Sequence, residues 1–136
     1  MKTYLAALTV LALGACVGPS DAGWRFTGQV QNLTTAPAAT PIIELENVAS
    51  GAVAITGGVM TECWNDGVTL DGDRSGTTLT MTIERVAQTS CTDERTRHHL
   101  YLGIFSQLRS GEYTFRVINA MGDAPVVELE TTLDVQ

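Results

Sequence analysis

Lysine is almost missing from this chain: seven of its eight basic residues are arginines, and the only lysine is Lys2. The arginines are spread from Arg25 to Arg116, with no cluster denser than Arg95 and Arg97, which sit beside Asp93 and Glu94. Set against fifteen acidic residues, this composition repels phosphate backbones and argues against nucleic acid as a partner. No C-x-x-C or H-x-H occurs, and His98 and His99, adjacent in a strand, point to opposite faces and cannot chelate one ion together. G-x-S-x-G is absent, as is a P-loop lysine, and Gly57-Gly58 leads into no helix. Beyond residue 13 no apolar run approaches the length of a membrane-crossing helix, and no stretch repeats at helical period. These absences point to a non-enzymatic protein with no metal and no cofactor. A hydrolase working through His98 or His99 with nearby carboxylates is the enzymatic alternative.

What is present begins at the N-terminus. Met1, Lys2 and Thr3 form a short positive start, and residues 4–13 form an apolar stretch too short to span a bilayer. Residues 1–15 therefore read as an export signal. Leu13-Gly14-Ala15-Cys16 resembles the lipobox of bacterial lipoproteins. That resemblance implies cleavage before Cys16, a covalent lipid on its thiol and attachment to the membrane through that lipid. Val17, a residue other than aspartate after the cysteine, implies sorting to the outer membrane, facing periplasm or cell surface. A competing cut falls after Gly14, where Ala12 and Gly14 make a small-x-small site for the ordinary signal peptidase. Lys2 leaves with the signal, so the exported chain carries seven arginines against fifteen acids, a net charge of −8 with neutral histidines. Lipidation of Cys16 also leaves Cys63 and Cys91 as an even pair, which an oxidising compartment joins as a disulfide.

Residues 16–23 are rich in small side chains and read as a tether, and residues 24–136 form one domain. Period-two alternation dominates that domain. Trp24, Phe26 and Val30 alternate with polar neighbours, as do Ile43 and Leu45; a Ser50-Gly51 turn precedes Val53 and Ile55, and Val68 and Leu70 follow the next turn. Leu79, Met81 and Ile83 share one face of a strand; Tyr113, Phe115 and Val117 share another; Val127, Leu129, Leu133 and Val135 close the chain. The strand from His98 to Phe105 is apolar on both faces and must be central or covered. Gly57-Gly58 predicts a bulge, and Asn65-Asp66-Gly67 predicts a turn. The fold class is an all-β antiparallel β-sandwich of seven or eight strands. Leu108-Arg109-Ser110-Gly111-Glu112-Tyr113 resembles the tyrosine-corner segment of immunoglobulin-like and fibronectin-like sandwiches, which implies an immunoglobulin-like domain. The resemblance covers one strand and its corner. The antibody cysteine spacing is absent, because Cys91 precedes the His98 strand.

Alternating strand direction sorts the loops. The start of the first strand lies next to the tether, so residues 34–41, 64–67, 88–97 and 121–124 gather at the far end, where Cys63 and Cys91 also meet. Trp64, Arg95 and Arg97 fall there and are the candidate partner contacts, with Trp64 packing over the disulfide as the alternative. Residues 71–76 fall at the tether end. Asp71-Gly72-Asp73-Arg74-Ser75-Gly76 resembles the opening of a calcium loop but has Thr82 at its twelfth position, and an ordinary hairpin turn accounts for the same residues. Glu44/Glu46 and Glu128/Glu130 read as solubilising charges. The function expected is a cell-envelope binding or accessory module for a protein or glycan. The alternative is a protease inhibitor presenting loops such as residues 34–40.

Overall fold

The computed structural model describes residues 23–88 and 90–136; the signal segment, the lipidation at Cys16 and the tether expected from the sequence lie, up to residue 22, outside the described residues. Eight strands follow in order: β1 Arg25–Asn32, β2 Glu44–Ala49, β3 Ala52–Thr61, β4 Gly67–Ser75, β5 Thr78–Val86, β6 Arg97–Ser106, β7 Gly111–Asn119 and β8 Val126–Val135. No helix occurs among the described residues. Two four-stranded sheets form, ordered β1-β6-β3-β2 and β4-β5-β7-β8.

Each strand reverses the direction of the one before it, and the sheet assignment decides what that means for pairing. The first sheet is wholly antiparallel. In the second, β5 lies beside β7, and two reversals through β6 in the opposite sheet restore the original direction, so this one pair is parallel. β1 lies beside β6 instead of beside β2, unlike the pairing of an immunoglobulin domain.

The alternating apolar residues meet between the sheets. Val53, Ile55, Leu79, Met81, Ile83, Phe105, Phe115 and Val117 are fully buried, each stabilising the fold by about 1.5–3 kcal/mol relative to exposure. β6 is central to its sheet, as its two apolar faces require: Tyr101 and Phe105 point into the core, while Leu100, Leu102 and Ile104 are half-buried on the outer side. Phe26 lies across the interface, 4.9 Å from the Phe105 ring, in a hollow formed by Gly72 and Gly103. A Cβ on Gly72 would stand 2.2 Å from the Phe26 ring.

Two local expectations need correction. β3 runs through Gly57-Gly58 in continuous register with β6, with no bulge. The glycines serve close approach instead: the Tyr101 hydroxyl occupies the space of a Gly57 side chain, and Pro41 that of Gly58. Residues 71–75, expected to belong to a hairpin turn, are the end of β4, with Asp71 and Asp73 exposed on its outer face and the reversal coming only at Gly76. Asp71 and Asp73 pair with Thr82 and Thr80, so this stretch is extended strand.

Candidate binding surface at the disulfide end

The loops assort as strand alternation requires. Segments 33–43, 62–66, 87–88, 90–96 and 120–125 share the end opposite Trp24, while Gly51, Leu108 and Gln136 are bonded together at the Trp24 end. Cys63 and Cys91 are joined, with Cα atoms 5.8 Å apart, in the first group. The bridge ties the β3–β4 connection to the β5–β6 loop, and the Trp64 amide donates to the Asp93 carbonyl alongside it at 2.9 Å.

Trp64, Arg95 and Arg97 are brought together. The two guanidinium carbons lie 4.4 Å and 4.9 Å from the Trp64 ring centroid, close enough for cation–π attraction. Arg97 Nη1 also donates to the Trp64 carbonyl at 3.0 Å. Arg95 grips both Asp93 oxygens, at 2.9 Å and 2.6 Å. Its guanidinium holds the Asp93 carboxyl below the usual carboxylate range, and Asp93 in turn raises the Arg95 pKa. The cluster thus braces the loop and still offers part of an indole and a largely exposed arginine to solvent.

Beneath the brace lies a buried polar network. His99, 1% exposed, sits between Asn32 Oδ1, 2.7 Å from Nδ1, and Thr61 Oγ1, 2.9 Å from Nε2. The Thr61 hydroxyl also donates to the Cys63 carbonyl at 3.1 Å, so the network runs from Asn32 through the His99 ring and Thr61 to the β3–β4 connection. Burial lowers the His99 pKa, and the charges of Arg97 and His98 lower it further. His99 therefore joins the ends of β1, β3 and β6, with both ring nitrogens hydrogen-bonded. Asp66, 5% exposed, accepts from the Gln88 amide at 3.1 Å and meets Arg85 at 3.7 Å, fastening the start of β4 to the end of β5. In the sequence Asp66 looked like any turn aspartate; nothing local distinguishes it.

The same end carries a pocket of about 360 Å³, within the usual range for small-ligand sites. It opens where β2 stops pairing, at Glu44 opposite Thr56, and leaves the last residues of β3 at the sheet edge. Pro37, Thr40 and Pro41 form one wall; Met60, His98 and Leu100 line it from the first sheet; Asn119, Met121 and Glu128 line it from the second. No group of three or more histidine, cysteine, aspartate or glutamate side chains able to hold a metal ion exists among the described residues.

No protein-family model, curated protein or solved structure matches this chain.

Proposed function

We propose that the protein is a cell-envelope lipoprotein, anchored through a lipid on Cys16, that works as a non-enzymatic binding module for an envelope protein or glycan. One observation carries this reading: the strand that follows the tether starts at one end of the sandwich, and the disulfide, the Trp64–Arg95–Arg97 cluster and the pocket all occupy the other. A tether at one end leaves the opposite loops free to meet a partner, as loops on a rigid scaffold commonly do. Aromatic and arginine side chains concentrate binding energy when a partner desolvates them.

The test is an affinity pull-down from native membranes with the lipidated protein. Trp64→Ala and Arg95→Ala each weaken the captured complex by about 1–2 kcal/mol. Arg74→Ala, at the tether end beside Tyr113, leaves it unchanged. Cys16→Ala releases the protein from the membrane fraction. Retention of that variant in the membrane refutes the anchor, and loss of the complex with Arg74→Ala alone refutes the orientation.

A further inference from the structure

Three observations converge on Glu128 in the pocket at the disulfide end. The first is backbone register. Val117 pairs with Leu129 but Ile118 pairs with Val127, so Glu128 is the extra residue of a β-bulge. Bulges re-aim a side chain that plain alternation would place elsewhere. Without the slip, Glu128 would share the outer face with Glu130, which reaches Arg116 at 2.8 Å. Glu128 turns instead to Asn119, whose Nδ2 donates to it at 2.9 Å, and lines the pocket.

The second observation is charge. Ion pairs among the described residues join Arg85 to Asp66, Arg95 to Asp93 and Arg116 to Glu130, and none involves Glu128. Arg97, next in sequence to the pocket residue His98, has its guanidinium over Trp64. The third is what lies behind the carboxylate. The Tyr101 hydroxyl is buried with no hydrogen-bond partner, and the Glu128 charge reaches it, adding to the burial that pushes its pKa up to about 12. The carboxylate shares the pocket lining with Met60, Met121, Pro41 and Leu100, which supply its apolar surface.

We propose that this pocket binds a small organic cation, with an ammonium head at Glu128 and an aromatic body against Met60, Met121 and Pro41. A carboxylate without a basic partner favours a positive head, and methionine sulfur makes favourable contacts with aromatic rings. The proposal deepens the reading of this end as the binding end, and it needs neither the lipid anchor nor a protein partner.

Three probes of similar body and different head separate the contributions: phenethylamine, 2-phenylethanol and 3-phenylpropanoate, titrated into the soluble Cys16→Ala chain and followed by methyl and amide NMR. The amine is expected to shift the Met60, Met121 and Asn119 signals and to bind at least ~3-fold more tightly than the alcohol and ~10-fold more tightly than the acid. Glu128→Gln abolishes that preference. Glu130→Gln, the same charge change two residues away and outside the pocket, preserves it. Equal affinity for the three heads, equal loss in the two variants, or shifts confined to other surfaces each overturn the proposal. A failed pull-down of a protein partner leaves this result standing, so the two readings fail separately.

Discussion

Replacing both Cys63 and Cys91 by alanine tests how the disulfide end is held. The bridge spans 28 residues, a loop whose closure in the unfolded chain is worth about 3.5 kcal/mol in the chain-entropy treatment. Cys63 is 5% exposed and loses its sulfur packing as well, whereas Cys91 is exposed and loses little. Native contacts inside the loop survive, because β4 and β5 pair along their whole length without the bridge. The expected loss is therefore about 3–4 kcal/mol, which for a domain of this size lowers the melting temperature by about 15 °C. Urea unfolding of the double variant, beside the unaltered protein with and without reductant, measures it. The reduced protein and the double variant should agree within about 1 kcal/mol. A loss below about 1 kcal/mol in both refutes the reasoning; it would mean that the β4–β5 hairpin already closes the loop in the unfolded ensemble.

Three further outcomes follow from the core. His99 has a lowered pKa in the folded protein, so its contribution is fully present above the unfolded value of about 6.5 and is lost as pH falls below it toward the folded value, at up to about 1.4 kcal/mol per pH unit. Urea midpoints at pH 7.5 and 5.5 should differ for the unaltered protein and for His98→Gln but not for His99→Gln; a flat profile in the unaltered protein contradicts the assignment. Gly72→Ala drives a methyl group into the Phe26 ring and costs about 1–3 kcal/mol, and in combination with Phe26→Ala the two losses are far from additive. Additive losses show that the ring is not the obstacle. Tyr101→Phe removes a buried hydroxyl that has no partner, so thermal unfolding should show unchanged or higher stability. A loss above about 1 kcal/mol means that the hydroxyl has a partner.

Much of the fold was legible because period-two alternation is a local signal. Leu79, Met81 and Ile83 had to share a face, and they are fully buried together. The two apolar faces of the His98 strand required a central place, which β6 occupies. Alternating direction was enough to bring Cys63, Cys91, Trp64, Arg95 and Arg97 to one end, because direction depends only on counting strands. The bulge expected at Gly57-Gly58 and the turn expected to begin at Asp71-Gly72-Asp73 are both extended strand, for a common reason. A glycine that admits a distant ring or proline looks, in sequence, like a glycine that bends its own backbone.

Sequence by itself therefore determined the strands, their inward faces, the disulfide and the end at which the candidate contacts collect, since each depends on local periodicity, parity or count. Only the tertiary structure decided which strands are neighbours. That choice made β5 and β7 parallel, locked His99 between Asn32 and Thr61, and buried Asp66 against Gln88. It also set the register slip that turns Glu128 into the pocket while Glu130 stays outside. Such features arise from pairs of residues far apart in the chain, whose distance is fixed by packing two sheets against each other and leaves no mark on either segment alone.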